Sequence, residues 1–338
     1  MSKAAGKKPT RKTAGAPQKP PHRKARAGSS RKATAKAAAP KRAATAKRKA
    51  ASKTAVAAMT GGRVTAAAPG KGRRVRVATW NINSVRIRLD AVARFVKDWQ
   101  PDILCLQETK VVDDDFPLGA FRDLGFGHTA VRGEKSYNGM AIFSKVPLEN
   151  PRHEIWAGKV DCRHLAVDLP GGVELHNFYV PAGGDIPDPQ TNPKFDHKLR
   201  FVDHMTEWFR DRRDQRGRIL VGDLNIAPLE TDVWSHQQLL KIVSHTPIEV
   251  EKFTRAMQAH DWVDAVREII PPDRKLYSWW SYRSPDWDAA DKGRRLDHVW
   301  VTPNLKSSVR DAAVARAVRG WLGASDHAPV LVTMDLPA

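Results

Sequence analysis

Cysteine, long apolar runs and N-terminal acidic residues are all scarce in this chain of 338 residues. Its two cysteines, Cys105 and Cys162, are too few for a disulfide framework and lack the spacing of a metal site. Cys105 lies in the apolar run 103–106, where we expect a buried thiol, so cysteine use favours a reducing compartment. No stretch approaches the roughly 18 apolar residues that span a bilayer, and no apolar core follows the basic N-terminus. We therefore expect no membrane partner and no secretory signal.

Acidic residues are absent before Asp90. Residues 1–70 hold 19 of the 57 Lys and Arg and none of the 37 Asp and Glu, which leaves 38 basic and 37 acidic residues elsewhere. With few bulky apolar side chains, and none in residues 1–55 beyond Met1, this segment cannot offset its ordering entropy, so we expect residues 1–72 to form a disordered arm. Its composition resembles the tails of linker histones. Counterion release favours binding to DNA phosphates, and a merely solubilising tail is the alternative.

Residues 73–338 have the patterns of one α/β domain. Residues 74–80 alternate polar and apolar side chains, as a half-buried strand does. Several later runs are uninterrupted and apolar, which is typical of sheets that helices cover. Further strands are predicted at 103–106, 140–144, 164–168, 173–180, 219–222, 297–302 and 330–334, and helices at 89–99, 195–213 and 249–260.

Polar residues with catalytic chemistry follow or precede these predicted strands. They form five groups, at Asn81 and Asn83, at Glu108, at Asp223 and Asn225, at Asp297, and at Asp326 and His327. Any one group has a structural explanation, because Asn and Asp are common turn-forming residues at strand ends. Together, oxygen donors without Cys or clustered His predict a site for a hard cation, Mg²⁺ or Mn²⁺ rather than Zn²⁺. The His in these groups then has a task other than binding metal. A second carboxylate can orient its ring and keep it cationic.

These groups lie in motifs that resemble the exonuclease III family of abasic-site (AP) endonucleases, within the wider endonuclease/exonuclease/phosphatase fold. The resemblance runs from Val75 to about Val332, in the family's order and approximate spacing, and it does not include the arm. The motifs are Trp80-Asn81-Ile82-Asn83-Ser84-Val85-Arg86, Leu104-Cys105-Leu106-Gln107-Glu108-Thr109-Lys110, Tyr179-Val180-Pro181, Gly222-Asp223-Leu224-Asn225-Ile226-Ala227, Arg295-Leu296-Asp297 and Ser325-Asp326-His327-Ala328-Pro329.

The resemblance implies a four-layer α/β (α+β) sandwich, in which helices flank two mixed β-sheets and the site lies at one rim. It also implies a Mg²⁺ ion, with Mn²⁺ as a substitute, for which Glu108 is the principal ligand. The residues that complete or neighbour this metal site are Asn81, Asp223, Asn225 and Asp326.

The resemblance implies catalytic roles for five residues. Asp223 orients or deprotonates the attacking water, and Asn225 holds that water and the phosphate. His327, paired with Asp297, contacts the scissile phosphate, and Tyr179 donates a hydrogen bond to the phosphate or assists the leaving group. Whether Asp223 or His327 is the general base stays open at this point.

Substrate contacts are implied for a second set of residues. Trp279 matches the ring that the family places against the extruded abasic sugar, and Leu296 matches another wall of that pocket. His327 contacts the phosphate. The remaining expected DNA contacts are Asn83, Arg86, Tyr137, Asn138 and the basic arm, residues 1–72.

The chain departs from the family at three places. Ala182 stands where Asn or Gln is common, residues 183–188 are acidic, and Arg294 stands where some relatives have Trp. Hydrolysis is unaffected by these changes. They leave open the balance between abasic-site cleavage and 3′-exonuclease activity.

The expected protein is a monomeric, Mg²⁺-dependent nuclease that acts on double-stranded DNA at abasic sites or 3′ ends. It would be cytoplasmic and nucleoid-associated in a bacterium, and nuclear or organellar in a eukaryote. Two alternatives remain: a phosphoesterase of the same fold with a non-nucleic-acid substrate, and a chromatin-like DNA-binding protein with a catalytically weak body.

Overall fold

The computed structural model describes residues 72–337. The predicted arm, residues 1–72, lies outside this range except for Gly72, where the first strand begins. The strands are β1 (Gly72–Asn81), β2 (Ile103–Gln107), β3 (His128–Arg132), β4 (Met140–Ser144), β5 (Glu149–Arg152), β6 (His164–Leu169), β7 (Val173–Tyr179), β8 (Arg218–Asp223), β9 (Val263–Asp264), β10 (Trp279–Trp280), β11 (Gly293–Arg294), β12 (Asp297–Val301), β13 (Val309–Val314) and β14 (Val330–Pro337). The α-helices are α1 (Leu89–Trp99), α2 (Leu118–Asp123), α3 (Pro193–Arg210), α4 (His236–Leu239), α5 (Pro247–Ala259) and α6 (Trp287–Ala290).

These strands form two six-stranded mixed sheets and one small pair. The first sheet has the order β13-β14-β1-β2-β4-β3, the second has the order β5-β6-β7-β8-β12-β9, and β10 pairs with β11. Val77 and Val221 belong to the apolar core between the sheets. Phe95 of α1 packs on the outer face of the first sheet, and Phe201 of α3 packs on the outer face of the second. The predicted four-layer sandwich is confirmed.

The predicted strands and helices are all present, with some ends shifted. Helix α1 and strand β4 have the predicted bounds. Helix α3 begins at Pro193 because Asn192 caps it, its side chain accepting a hydrogen bond from the Lys194 amide at 3.0 Å. Helix α5 begins at Pro247 because Thr246 and Glu249 form a capping box. Strands β3, β5, β9, β10, β11 and β13 were not predicted.

Parallel strand pairs determine where the chain can build a site. Strands β1 and β2 are parallel in one sheet, and β7 and β8 are parallel in the other. The carboxyl ends of all four strands therefore meet at one rim. Strand β12 runs antiparallel to β8, so its first residue, Asp297, lies opposite Asp223. Within residues 72–337 no helix has the length and apolar character that crossing a membrane requires.

A buried cluster of charged residues anchors the start of β12. The Asp232 carboxylate is fully buried and accepts hydrogen bonds from Arg295 Nε at 2.8 Å and Nη2 at 3.0 Å. It also binds Arg267, and Arg295 Nη1 reaches Asp264 at 2.6 Å. Removing one member of such a cluster leaves buried charge without a partner, which is strongly destabilising.

We predict that Asp232→Asn lowers the free energy of unfolding by about 3–5 kcal/mol, because two buried guanidinium groups lose their shared carboxylate. Urea denaturation measures the change. The matched control is Asp335→Asn, which breaks an exposed pair with Arg74 and Arg310 and should cost less than about 1 kcal/mol. Equal effects of the two substitutions would contradict the prediction.

Candidate active site

Asn81 links the two sheets at the rim. It is fully buried at the end of β1, and its Nδ2 donates to Glu108 Oε1 and to Asp223 Oδ2, each at 2.9 Å. Glu108 follows β2 in the first sheet, whereas Asp223 ends β8 in the second. One amide therefore holds the predicted principal metal ligand, Glu108, and the predicted catalytic carboxylate, Asp223, at a fixed separation.

Glu108 is held in a left-handed backbone conformation, with φ of 52°. Its Oε1 accepts a hydrogen bond from the Tyr179 hydroxyl at 2.6 Å, and Lys110 Nζ lies 2.7 Å from its Oε2. Burial raises the pKa of Glu108, but the hydrogen bonds from Asn81, Lys110 and Tyr179 outweigh burial and the net pKa is lowered. The carboxylate is therefore ionised and directed into the site.

Asp223 and Asn225 form a tight turn after β8. The Asn225 amide donates to Asp223 Oδ1 at 2.9 Å, and its side chain donates to the Val180 carbonyl at 2.8 Å and to Asp223 Oδ2 at 3.1 Å. Gly222 is required here because a Cβ would lie 1.9 Å from the Phe178 carbonyl oxygen. Burial chiefly raises the pKa of Asp223, to about 7, although His327 opposes the shift.

His327 lies between two carboxylates. Its Nδ1 is 2.8 Å from Asp297 Oδ2, and its Nε2 is 3.6 Å from Asp223 Oδ2. Burial lowers the pKa of His327, but Asp297 and Asp223 more than compensate and raise it to about 10. Both ring nitrogens therefore carry protons, and the side chain is an imidazolium that can donate a hydrogen bond to a phosphate oxygen.

Asp326 connects this polar group to an aromatic wall. Its Oδ1 accepts from Asn83 Nδ2 at 3.3 Å, and its Oδ2 accepts from Trp279 Nε1 at 2.9 Å. Trp279 and Asp326 line an open cleft of about 1000 Å³. Leu296 packs in the same apolar cluster as Trp279. Trp280, by contrast, is buried among Tyr277, Trp287 and Ala328 and belongs to the core.

Other predicted DNA contacts lie on the surface. Arg86 is exposed, and Tyr137 is 71% exposed. Asn138 donates to Glu134 Oε1 at 2.6 Å, and its carbonyl accepts from the Lys110 amide at 2.9 Å, so the loop abuts the segment after Glu108. Unlike the residues at the strand ends, none of these side chains hydrogen-bonds to the polar group around Asn81 within the part of the chain that the structure describes.

Sequence reasoning missed two supporting residues. Ser278 donates to Asp297 Oδ2 at 2.6 Å and accepts from the Asp297 amide at 3.1 Å, so it fixes the carboxylate that orients His327. The sequence feature that could have identified Ser278 is a small hydroxyl side chain inside the aromatic run 277–283. Lys198 is fully buried on α3 and donates to the Asn225 carbonyl at 2.8 Å. The sequence feature that could have identified Lys198 is a lysine at a position where an amphipathic helix normally has an apolar residue.

The residues fit a hard cation. Lys110 Nζ lies 2.7 Å from Oε2 of Glu108, the predicted principal ligand, and 2.7 Å from Asn83 Oδ1, so a positive group already lies between two oxygen atoms at this point of the rim. Asp223, Asp297 and His327 also offer ligand atoms within 4.8 Å of one another. In that trio, however, Asp297 Oδ2 already contacts His327 Nδ1 and accepts a hydrogen bond from Ser278.

An ionised carboxylate, an imidazolium and a buried second carboxylate at the rim of a two-sheet sandwich define a hydrolase of phosphate esters. The model of the Endonuclease/Exonuclease/phosphatase family matches residues 78–327, and the chain belongs to that family. Its likeness to nucleases of the exonuclease III and AP endonuclease type, which the motifs predicted, is confirmed by individual relatives.

One such relative is the exodeoxyribonuclease of Bacillus subtilis (strain 168), which is 29% identical over 77% of this chain and 100% of its own length. Among solved structures, an AP endonuclease from Archaeoglobus fulgidus has a TM-score of 0.72 and 29% identity, and the match covers 78% of this chain and 100% of that one. A singly substituted form of the 3′ phosphatase NExo from Neisseria, bound to a product DNA hairpin, has a TM-score of 0.71 and 30% identity. That match covers 77% of this chain and 99% of the NExo chain. The chain is thus a nuclease-type hydrolase.

In metal-free protein we predict that His327 keeps both ring protons at about pH 8, because the flanking carboxylates hold its pKa above neutrality. Replacing Asp297 by Asn removes the larger of the two stabilising charges, so the pKa should fall. Nitrogen-15 NMR of labelled histidines in EDTA measures both states.

His298 is the internal control for this titration. It is fully buried, its pKa is lowered well below the usual value mainly by burial, and its Nε2 lies 2.8 Å from the Ile226 carbonyl oxygen. Its ring should remain neutral in the same spectra. A neutral His327 at about pH 8 in the unsubstituted protein would contradict the assignment.

Proposed function

We propose that this chain is a DNA-repair nuclease that hydrolyses the phosphodiester 5′ to abasic sites in double-stranded DNA and also acts on 3′ ends. The observation that carries the proposal is the position of Trp279. Its backbone bridges to His327 and its indole binds Asp326, so an aromatic wall stands directly beside the phosphate-binding side chains. An extruded baseless sugar is small enough to fit against that ring. The relatives' names, which include an AP endonuclease and a 3′ phosphatase, agree with both activities.

The catalytic step uses residues that are already in contact. Asp223 orients the attacking water and accepts its proton, because both nitrogens of His327 face carboxylates and the imidazolium has no free lone pair. Asn225 fixes the orientation of the Asp223 carboxylate. His327 donates to a non-bridging phosphate oxygen, and the Tyr179 hydroxyl, beside Glu108, donates near the leaving oxygen.

A divalent cation, Mg²⁺ or Mn²⁺, is part of the proposal. Glu108 would be its principal ligand, with oxygen atoms of Asn81 and Asp326 in or next to its coordination shell. When bound, the ion supplies charge stabilisation for the phosphate and its leaving oxygen. Lys110 would then give up its contact with Glu108 and keep its hydrogen bond to Asn83.

Both alternatives from the sequence fit the site less well. A phosphoesterase for a non-nucleic-acid substrate would have no use for Trp279 beside the phosphate site or for a polycationic segment at residues 1–70. A DNA-binding protein with a catalytically weak body would not need to keep the connected set of Asn81, Glu108, Asp223 and His327. We propose a monomer that acts on DNA in the cytoplasm, associated with the nucleoid if the source is bacterial.

The first test uses a duplex that contains one tetrahydrofuran abasic analogue. We expect a single incision 5′ to the analogue with Mg²⁺ and none with EDTA. Glu108→Gln should slow incision by about 100-fold or more, because it weakens the principal ligand and the contact with Tyr179. The matched control, Glu251→Gln, changes an exposed residue of α5 and should cut normally. No incision, incision in EDTA, or undiminished cutting by Glu108→Gln would refute the proposal.

The second test concerns the basic segment, which lies outside the described residues. Deleting residues 1–70 removes 19 positive side chains and no negative ones. We expect the slope of log binding constant against log salt concentration to become shallower by about 0.9 for each phosphate contact that is lost. Fluorescence anisotropy with a labelled duplex measures this slope for both proteins. An unchanged slope would show that the segment does not contact DNA.

A further inference from the structure

Two histidines outside the catalytic group face each other on the segments between β8 and α5. His236 begins α4, and His245 directly precedes Thr246, the N-cap residue of α5. His236 Nδ1 lies 2.9 Å from His245 Nε2, and the two ring planes are inclined at 79°. His245 is buried, whereas the His236 side chain is 29% exposed. The pair is therefore anchored on one side and open to solvent on the other.

The far nitrogen of each ring has its own acceptor. His245 Nδ1 lies 2.6 Å from the Ala227 carbonyl oxygen, so this nitrogen carries a proton and donates it. The Ala227 amide donates to the Ser244 carbonyl at 2.8 Å, which holds the acceptor against the segment that carries His245. His236 Nε2 lies 3.6 Å from Glu230 Oε1, within ion-pair distance. Both rings therefore favour a proton on the far nitrogen and turn the near nitrogen towards each other.

Two neutral rings do not have enough protons for these contacts. If both protons lie on the far nitrogens, two lone pairs face each other across 2.9 Å. If His236 instead donates to His245, its far nitrogen presents a lone pair to the Glu230 carboxylate. A third proton, which makes one ring an imidazolium, satisfies all three contacts. A metal ion bound by both near nitrogens does the same, because it accepts both lone pairs.

Burial favours the metal over the third proton at His245. Burial chiefly lowers the pKa of His245, although the hydrogen bond to the Ala227 carbonyl opposes the shift. The ring is therefore neutral at neutral pH, and its Nε2 lone pair is available as a ligand. Neutral imidazole nitrogen suits Zn²⁺, Cu²⁺ and Ni²⁺, whereas Mg²⁺ prefers oxygen.

The spacing of the two near nitrogens also fits such an ion. Zinc–nitrogen bonds of about 2.0–2.1 Å in a tetrahedral site place two ligand nitrogens about 3.3 Å apart. The observed 2.9 Å must open by only a few tenths of an ångström, which the partly exposed His236 allows. Metal-bound histidines commonly donate the other ring N–H to a carboxylate or a backbone carbonyl. Glu230 and Ala227 are those two acceptors here.

We propose that His236 and His245 bind a divalent transition-metal ion such as Zn²⁺, through Nδ1 of the first and Nε2 of the second, with water molecules completing its coordination. Glu230 and the Ala227 carbonyl orient the two rings. The ion closes the loop from residue 236 to residue 245 and ties α4 to the start of α5. This site shares no residue with the oxygen-donor site around Glu108, and it does not depend on the proposed nuclease function.

The first test is a titration of the full chain with zinc chloride in excess Mg²⁺, followed by nitrogen-15 NMR of labelled histidines. We expect the resonances of His236 Nδ1 and His245 Nε2 to shift together as Zn²⁺ binds. His298 is the internal control, because its ring is fully buried and its Nε2 is 2.8 Å from the Ile226 carbonyl oxygen. Its resonances should not change.

The second test measures Zn²⁺ affinity by calorimetry under the same conditions. His236→Gln and His245→Gln should each weaken binding by about 100-fold, because one of two imidazole ligands is lost. Glu230→Gln keeps both ligands and should weaken binding by about tenfold, as the loss of an orienting partner does. The matched control is His128→Gln, which removes an exposed histidine of β3 in the first sheet and should bind as the unsubstituted protein does.

Thermal unfolding gives a third readout. Zn²⁺ should raise the Tm of the unsubstituted protein, because it binds the folded chain, and the rise should be lost in His236→Gln. If Zn²⁺ leaves the resonances of both rings unchanged, or if His236→Gln and His128→Gln bind it equally, the inference is overturned and a shared proton holds the pair. If His245→Gln does not fold by circular dichroism, the exposed variant His236→Gln and the spectra of the unsubstituted protein still decide.

Discussion

The two sheets are locked together by a hydrogen bond between two buried amides. Gln107 Nε2 on β2 donates to Asn177 Oδ1 on β7 at 2.7 Å, and Asn177 Nδ2 donates to two main-chain carbonyls of the first sheet. The surrounding interface is apolar and has no directional preference, whereas a buried amide that loses its partner costs about 1–3 kcal/mol. This bond therefore fixes the alignment of β2 against β7. Glu108 follows Gln107 and Tyr179 lies two residues after Asn177, so their side chains meet at 2.6 Å.

That alignment also brings several charged side chains together at the strand ends around Asn81. The side chains joined by hydrogen bonds or ion pairs around Asn81 include four carboxylates, Glu108, Asp223, Asp297 and Asp326, and two cations, Lys110 and His327. Negative charge therefore exceeds positive charge at the strand ends, where a divalent cation would compensate it. Arg294, at the edge of the cleft that Trp279 lines, has its guanidinium carbon 5.3 Å from the centre of the Trp279 ring.

Much of this arrangement could be predicted from the sequence, because strands buried on both faces read as apolar runs and parallel strands end at one rim. Strand β5 (Glu149–Arg152) could not be predicted, since it is an exposed edge strand that contains Asn and Pro. The polar residues at strand ends were identified from local motifs, and the structure brings them together. Ser278 and Lys198 were missed because their partners, Asp297 and the Asn225 carbonyl, are distant in the chain and only the tertiary fold makes the contact.

Trp279 couples the substrate pocket to the hydrolytic centre through one carboxylate. Its indole N–H binds Asp326 Oδ2, and Oδ1 of the same carboxylate accepts from Asn83, which also binds Lys110. A group that displaced the ring would remove a hydrogen bond from Asp326 and loosen the chain of contacts that leads to Glu108. A group that lies flat against the ring leaves those contacts intact. Under the proposed function, an extruded baseless sugar is small enough to meet that condition. In that proposal, the fit of the group against Trp279 would affect the position of the catalytic side chains as well as binding.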